Sequence, residues 1–548
     1  MQTQDLSYAL NSHKVRIEDK NAKIEYLASV EVFSLENVYT VAEGTLRREG
    51  DAYMADELVW ANTERVCGGV TLRCAPLADG TRFEIGAELG MPLRAVKLRL
   101  DGLPLGTLLT LTDEDWEADA YGRVIKYPEG WRSLSTPLLV FRLADGRYLY
   151  IRCLDGTVNA KRFFVKAEGG GMRVDIVQEQ DGTQIGVGYR VPPVECGVTE
   201  SADAIYGRHS DTVKETYGLS EYEHSSVKPA WLDEISLVVT MHMQAFTGYI
   251  FHTYAQAYED VKKLTELVEG RHILVYLAGW EGRYYYKYGD YTPDERMGGA
   301  EALRACVEKL HGLGCKVMAM YGMNMANKRL PAVSDIVEGS EFESVSGAKF
   351  HSGSVDWEGA HHYDFGDLAH LNVANPLWGD RLFEQIRDAT EKYGFDGAFL
   401  DIAACYVNDK NDKLYEGVVA FCDRLRTIKP DFLVSGEGYY DGLSRAMPLF
   451  QSGHTDGKLH YHDRADERLF TRFSREFAHL CIGDPSRGST GVHEQGTNTD
   501  WRTPMRKGII PTLALVEDSM RSGYERVKTI AADANEYARR YLNGETVQ

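Results

Sequence analysis

Cysteine is sparse and unpaired in this sequence. Nine cysteines occur singly among 548 residues, without a CxxC pair and without the spacing of metal ligands. A disulfide framework and a cysteine-based zinc site are therefore not indicated, and the pattern is typical of reduced, mostly buried thiols. Because no well-spaced set of metal-ligating side chains is evident either, we predict no catalytic metal.

Long apolar segments are also missing. No run of about 18 apolar residues occurs anywhere in the chain, and the first twenty residues, MQTQDLSYALNSHKVRIEDK, lack the apolar region of a signal peptide. The sequence therefore predicts a cytoplasmic protein that does not enter a membrane.

Basic side chains are fewer than acidic ones. The chain has 61 basic and 82 acidic side chains, a formal net charge of -21, which would repel a phosphate backbone. We therefore do not expect the protein to bind nucleic acid. There is no GxxxxGK[ST] loop, no strand-linked GxGxxG motif and no internal repeat, so we predict no cofactor and no solenoid or propeller.

What the first part of the chain does contain is strand patterning. Short alternating runs such as KVRIED, GVTLRC and RYLYIRCL recur from Val15 to about Glu200, separated by turns such as Asp145-Gly146. This spacing predicts an antiparallel β-sandwich, with a domain over residues 1–225. The polar stretch from Ser210 to Pro229 is predicted to connect it to the next domain.

Strand and helix patterns alternate over residues 226–548. Near-continuous apolar strands separated by amphipathic helices are the signature of parallel βα units, so we predict a (β/α)8 TIM-type barrel with a polar C-terminal helix. The predicted strands are 235–240, 272–277, 316–322, 397–401 and 432–438, with further apolar segments near 446 and 508. The predicted helices are 254–269, 299–313, 376–392, 413–429, 463–480 and 522–542.

Two acidic residues directly follow apolar strands of the predicted barrel. Asp401 ends the run AFLD on the fourth strand, and Glu437 follows LVSG on the fifth. Active sites of such barrels lie at the carboxyl ends of the strands, and adjacent strands would place both carboxyls on one rim. Glycoside hydrolysis needs such a pair, one carboxylate to attack the anomeric carbon and one carboxylic acid to protonate the leaving oxygen.

Each of these acids has a plainer interpretation. Asp401 could cap the helix that follows it, and Glu437 could form an ion pair with Arg445. The neighbours of Glu437, Gly436 and Gly438, leave space for a ligand but equally suit a tight turn.

Other polar and aromatic residues lie at or near predicted strand ends. Aromatic faces stack on sugar rings while Asn, Asp and His bond the hydroxyls, although packing against the barrel is the alternative for any single tyrosine. The candidate substrate-binding residues are Trp280, Glu281, Tyr321, Asn324, His362, Asp456 and His493, with His361 and Glu494 as further candidates.

The segments GFDGAFLD and FLVSGEG resemble the fourth- and fifth-strand motifs of retaining α-glycosidases, including the alpha-amylase and endo-alpha-N-acetylgalactosaminidase families. The resemblance implies that Asp401 is the nucleophile and Glu437 the general acid/base. The amylase pattern carries an Arg where this chain has Phe399. A β-sandwich before the barrel looks more like the alpha-galactosidase arrangement, whose acid is an Asp on a later strand, and this would favour Asp456 as the acid.

Together these patterns predict a glycosidase that hydrolyses O-glycosyl bonds, a retaining α-glycosidase acting on an oligosaccharide or small glycoside. The alternatives are a glycosidase with Asp456 as the acid, and a non-catalytic barrel that binds carbohydrate. A lyase or isomerase is a third possibility, because a fold does not fix its chemistry.

Overall fold

The structure is a computed structural model of the chain. It describes residues 6–60, 64–110, 115–128, 134–245, 248–282, 285–349, 368–452, 471–478, 505–517 and 519–542. Three of the predicted site residues, His362, Asp456 and His493, lie outside these ranges, as do His361 and Glu494.

The first part of the chain forms a large antiparallel sheet of seventeen described strands. The strands are β1 Leu6–Asn11, β2 Lys14–Asp19, β3 Ile24–Ser34, β4 Val38–Val41, β5 Arg47–Glu49, β6 Ala52–Trp60, β7 Glu64–Pro76, β8 Gly80–Leu89, β9 Leu93–Leu103, β10 Gly106–Leu108, β11 Trp116–Glu117, β12 Arg123–Tyr127, β13 Leu138–Leu143, β14 Tyr148–Cys153, β15 Lys161–Glu168, β16 Gly171–Glu179 and β17 Gly188–Thr199.

Side chains alternate between buried and exposed along many of these strands, as the pattern KVRIED predicts for β2. The predicted turn at Gly146 is confirmed: this glycine has a positive φ of 87° and joins β13 to β14.

A helix, α1 (Ala202–Tyr217), follows the last antiparallel strand, so the prediction that residues from Ser210 onward form a connection is wrong up to Tyr217. The Ser201 side chain accepts a bond from the Ala204 N–H at its start, and Gly218 ends it in the left-handed conformation. These two residues are the sequence signal for the helix.

The second part of the chain forms a nearly closed sheet of nine described parallel strands. They are β18 Leu237–His242, β19 Ile273–Ala278, β20 Lys316–Gly322, β23 Gly397–Asp401, β24 Leu433–Glu437, β25 Leu449–Gln451, β26 Arg475–Phe477, β27 Ile509–Ile510 and β28 Thr512–Leu515. The intervening β21 (Met325–Asn327) and β22 (Leu368–His370) form a separate two-stranded sheet.

The parallel sheet closes through its last two strands. β27 pairs with β26 and β28 pairs with β18, and only Pro511 separates β27 from β28 in the chain. The rings of Tyr276, Phe399 and Phe477 contact one another although they lie on β19, β23 and β26, which are not neighbours in the sheet. Contacts of this kind require the interior of a curved sheet, so these rings fill the space that the strands enclose.

Helices connect most of the parallel strands. The described α-helices of this part are α2 Tyr254–Leu264, α3 Gly299–Gly312, α4 Val337–Ser340, α5 Pro376–Tyr393, α6 Leu414–Leu425 and a C-terminal helix Tyr524–Tyr537. The predicted boundaries of α5 are confirmed, since the Asn375 side chain caps its start and Gly394 ends it with a φ of 86°. Within the described ranges, no helix combines the length and apolar content that a membrane crossing requires.

One predicted helix is confirmed only in part. Of the helix expected over 463–480, residues 471–473 are helical and strand β26 replaces it at 475–477, while residues 463–470 and 479–480 lie outside the described ranges. Arg475 is buried there, with its guanidinium 3.6 Å from the centre of the Tyr222 ring and 3.3 Å from the Glu223 carboxylate. A charged residue such as Arg475 is expected on the surface. The sequence pattern therefore does not indicate the buried strand β26.

Substitution by alanine is expected to have opposite effects on stability at two helical glycines. Where a helical site has room for a Cβ, alanine stabilises the helix by about 0.5–1 kcal/mol relative to glycine. A Cβ on Gly207 of α1 meets no atom within 4 Å, whereas a Cβ on Gly417 of α6 would lie 2.1 Å from the Ala374 Cβ. We therefore expect Gly207→Ala to raise the thermal unfolding midpoint. Gly417→Ala should lower it, with a loss of about 1–3 kcal/mol from overpacking. A rise for both variants would contradict the described contact between α6 and Ala374.

Candidate active site

Asp401 and Glu437 are the last residues of the adjacent parallel strands β23 and β24. Leu400 pairs with Gly436, so the two acids occupy the next position of the same register. Asp401 lies two residues after the interior ring of Phe399, and side chains two apart on a strand leave the same face. Both carboxyls therefore point from the carboxyl ends of their strands toward the enclosed interior, and they are 3% and 4% exposed.

Each carboxyl accepts a hydrogen bond from a group that follows another strand of the rim. The Tyr288 hydroxyl donates to Asp401 Oδ2 over 2.6 Å, and the Ile402 backbone N–H donates to Glu437 Oε2 over 3.0 Å. Bonds of this kind stabilise a charged carboxylate and fix its direction. Since Ile402 directly follows Asp401, this peptide group links the two acids.

The backbone at Ile402 adopts a rare conformation. Its φ is 62°, in the left-handed region, where a β-branched residue is an outlier and the cost is roughly 1–2 kcal/mol. Asn324 donates from Nδ2 to the Ile402 carbonyl over 3.3 Å, so both peptide groups of Ile402 are bonded in the site. Strain of this kind persists where the surroundings over-determine it, and it clusters at functional sites.

The floor of the site is Tyr276 on β19. Burial raises the pKa of its hydroxyl well above the usual value, and the nearby charges of Asp401 and Glu437 act in the same direction. The hydroxyl lies 2.9 Å from Met320 Sδ. The Tyr276 side chain therefore stays a neutral phenol near the two carboxyls.

The structure distinguishes between the sequence interpretations at several points. The next helix after Asp401 begins at Leu414, so Asp401 does not cap it. A Cβ on Gly436 would lie 2.6 Å from Met447 Sδ and 2.7 Å from the Ala403 Cβ, so this glycine is needed for packing. Gly438 has a φ of 69° and forms the turn.

Two predicted sugar-stacking residues, Trp280 and Tyr321, lie behind the strands. Both are fully buried, with ring centres 5.8 Å apart, and Phe395 lies 5.3 Å from the Trp280 ring. The Trp280 Nε1–H donates to the Met320 carbonyl over 3.0 Å. The structure thus places both rings in an aromatic cluster and does not bring them to the two acids, and their role as sugar contacts stays a prediction.

Glu281 is also fully buried, and neither carboxyl oxygen has a hydrogen-bond partner among the residues that the structure describes. Burial raises its pKa from the usual 4.5 to about 8. Nearby Lys287 opposes this rise and Asp290 adds to it, so at neutral pH the side chain is mainly the protonated acid. Of the predicted substrate-binding residues that the structure describes, Asn324 is the one bonded directly to the segment that carries Asp401.

The residues that sequence reasoning missed are Tyr288, Tyr276 and Ile402. Tyr288 lies in the aromatic run RYYYKYGDY after the second strand, and this run is the signal that could have found it. Nothing in the sequence marks the backbone of Ile402 as a donor. Among the described residues, no group of three or more His, Cys, Asp or Glu side chains could hold a metal.

Sequence comparison finds no matching family model and no matching curated protein. Solved structures do match. The ligand-free α-N-acetylgalactosaminidase NagBb of Bifidobacterium bifidum has a TM-score of 0.62 at 14% identity, covering 98% of this chain and 94% of NagBb. The GH36 α-galactosidase AgaA of Geobacillus stearothermophilus has a TM-score of 0.54 at 12% identity, covering 99% of this chain and 75% of AgaA.

The galactosidase domain of the α-galactosidase–sucrose kinase AgaSK is similar as well, with a TM-score of 0.53 at 14% identity over 98% of this chain and 73% of that one. These likenesses show a shared fold. This chain therefore shares its fold with solved α-glycosidases.

The buried acid Glu281 leads to a prediction about stability and pH. Its folded pKa of about 8 lies above its unfolded value of 4.5, so folding takes up a proton between these pH values and stability falls as the pH rises. Glutamine mimics the protonated acid. We expect Glu281→Gln to match the wild type near pH 5 and to exceed it at pH 8 by on the order of 4 kcal/mol, at about 1.4 kcal/mol per pKa unit.

Thermal unfolding at pH 5, 6.5 and 8 measures this effect, with Glu301→Gln on the exposed face of α3 as the control. Parallel pH curves for the wild type and Glu281→Gln would show that Glu281 is charged in the folded protein.

Proposed function

We propose that this protein is a retaining α-glycosidase in which Asp401 is the nucleophile and Glu437 the general acid/base. The proposal includes a (β/α)8 barrel preceded by a β-sandwich. One observation carries it: Asp401 and Glu437 end adjacent strands in register, and the Ile402 N–H joins them. Two carboxyls on one rim supply both functions that retaining hydrolysis needs.

The surroundings of Asp401 fit the role of the nucleophile. Asp401 Oδ2 accepts the Tyr288 hydroxyl, which stabilises the charged form that a nucleophile needs. In the first step an Asp401 oxygen bonds to the anomeric carbon, the bond to the leaving oxygen breaks, and Glu437 gives that oxygen its proton. In the second step water attacks the same carbon, Glu437 takes a proton from the water, and Asp401 is released.

The solved structures support a proposal for the substrate class. NagBb has been solved with GalNAc, and AgaA variants with raffinose and with 1-deoxygalactonojirimycin. We therefore propose an α-linked sugar of galacto configuration, galactose or N-acetylgalactosamine, at the non-reducing end of a glycoside or oligosaccharide.

Aryl α-galactosides and aryl α-N-acetylgalactosaminides test the assignment in the wild type, Asp401→Asn and Glu437→Gln. We expect the wild type to release the aryl group with retention of anomeric configuration by NMR. Asp401→Asn should lose at least about 10³-fold in kcat, because no covalent intermediate forms. In kcat/KM, which reports the first step, Glu437→Gln should lose little with activated leaving groups and at least about 10²-fold with poor ones, because proton donation is missing. Its kcat should fall with both, because the second step loses its base.

Near-wild-type turnover by Asp401→Asn would disprove the nucleophile. If Asp456→Asn shows the dependence on leaving group and Glu437→Gln does not, Asp456 is the acid. Binding of the sugar without any hydrolysis would instead favour a non-catalytic carbohydrate-binding barrel.

Tyr288→Phe tests the support of the nucleophile. Loss of the hydroxyl removes a hydrogen bond to a charged carboxylate, worth about 1.5–3 kcal/mol, so kcat/KM should fall roughly 10- to 100-fold. Its acidic limb should move to higher pH, because the charged form of Asp401 loses its donor.

Tyr321→Phe is the matched control. The Tyr321 hydroxyl is buried and has no hydrogen-bond partner in the described part of the chain, so its removal should leave kcat and the pH profile unchanged. A raised KM in Tyr321→Phe would support the predicted sugar contact, and an unchanged pH profile in Tyr288→Phe would contradict the proposed support.

A further inference from the structure

The antiparallel domain contacts both of the segments that follow the two acids. In the segment after β23, the Tyr406 hydroxyl donates to the Val158 carbonyl over 2.9 Å. Asn408 accepts from the Gly182 N–H over 2.7 Å and donates to the Gln180 carbonyl over 2.8 Å. This segment is therefore bonded by side chains to the backbone of the other domain.

The same contact is closely packed. A Cβ on Gly182 would lie 2.5 Å from the Asp409 carbonyl oxygen, so only glycine fits against this segment. Beside it, Lys413 forms an ion pair with Asp181 over 2.7 Å. The segment from Asp401 to α6 thus runs along the antiparallel domain rather than through solvent.

The segment after β24 is held through one buried carboxyl, Asp441, four residues after Glu437. Its two oxygens accept hydrogen bonds from the Tyr127 hydroxyl over 2.5 Å and the Thr136 hydroxyl over 2.7 Å. Its backbone N–H donates to the Ser135 carbonyl over 2.8 Å. Asp441, Tyr127 and Thr136 are each less than 5% exposed.

A histidine of α1 bonds to the same Thr136 hydroxyl. His209 Nε2 lies 2.6 Å from the Thr136 hydroxyl, and burial lowers the His209 pKa to about 3, so the ring is neutral. Because Thr136 gives its proton to the Asp441 carboxylate, His209 Nε2 must carry the proton and donate to Thr136. Burial raises the Asp441 pKa to about 6, and the Tyr127 and Thr136 hydroxyls oppose this by stabilising its charge.

Glu437 is joined to this network by a short, turned segment. Gly438 has a positive φ, its N–H donates to the Gln451 carbonyl over 2.9 Å, and the helical turn Asp441–Arg445 begins three residues later. With both ends held, the segment has little freedom, and the direction of the Glu437 side chain depends on both.

We propose that the antiparallel domain is a positioning part of the active site: by binding Asp441 through Tyr127 and Thr136, it sets the direction in which Glu437 delivers its proton. The inference rests on the proposed function and deepens it. These three residues are positioning residues, since they act on the substrate through Glu437.

The alternative is that the same bonds only hold the two domains together. Loss of a structural contact lowers the amount of folded enzyme and affects all substrates alike. Loss of acid positioning affects poor leaving groups most, because these depend on protonation, whereas activated leaving groups depart without it.

Tyr127→Phe is the test variant, and Tyr150→Phe is its matched control. Tyr150 is a buried tyrosine of the same domain whose hydroxyl also donates to an aspartate, Asp79, over 2.7 Å, and Asp79 is also bonded by Arg208 of α1. That pair does not include the segments after β23 and β24. The full-length variants are compared on aryl α-galactosides or aryl α-N-acetylgalactosaminides with good and poor leaving groups, with the unfolding midpoint measured alongside.

We expect Tyr127→Phe to lose about tenfold more kcat/KM on the poor leaving group than on the good one, with a displaced alkaline limb of the pH profile. Tyr150→Phe should show a ratio within about twofold of the wild type. At Thr136, valine should reproduce the Tyr127→Phe effect and serine, which keeps the hydroxyl, should restore the wild-type ratio.

Equal losses on both substrates in Tyr127→Phe and Thr136→Val would overturn the positioning role. This result differs from failure of the proposed function. If Glu437→Gln itself shows no dependence on the leaving group, the acid has been misassigned; if it does and Tyr127→Phe does not, the function stands and the positioning inference fails.

Discussion

The parallel pairing of β23 with β24 is the constraint on which the site depends. Parallel strands end on the same side of a sheet, and the register Leu400 to Gly436 puts the following residues, both acidic, beside each other. A shift of one residue in either strand would turn one carboxyl to the opposite face. Packing of the enclosed rings, including Phe399, fixes which face of the sheet is interior. It therefore determines where the two carboxyl groups lie.

Around this pair, the rim is assembled from backbone as much as from side chains. The Ile402 N–H bonds one acid while its carbonyl is bonded by Asn324, so a single strained residue connects β20, β23 and β24. The backbone groups of Ile402 cannot change rotamer as a long side chain can. The positions of the two acids therefore depend on the fold of the backbone.

Much of this arrangement could be predicted, and the residues that escaped prediction share a cause. The strands ending in Asp401 and Glu437 were predictable because an apolar run followed by an acidic residue can be recognised in the sequence alone. The burial of Trp280 and Tyr321 behind the strands was not, because the face that a residue at a strand end takes depends on how the sheet curves. The role of Asp441 was not predictable either. Its partners Tyr127 and Thr136 lie 314 and 305 residues earlier in the chain, and no local pattern connects them.

The closing strand has a consequence for how the chain reaches this state. Val238 on β18 pairs with Thr512 on β28, at positions 274 residues apart, so β18 has no neighbour on one side until the closing strand is in place. An apolar strand with an unpaired edge is open to pairing with other chains. Folding of this barrel is therefore exposed to a kinetic competition between closure and self-association, and the outcome depends on protein concentration during refolding.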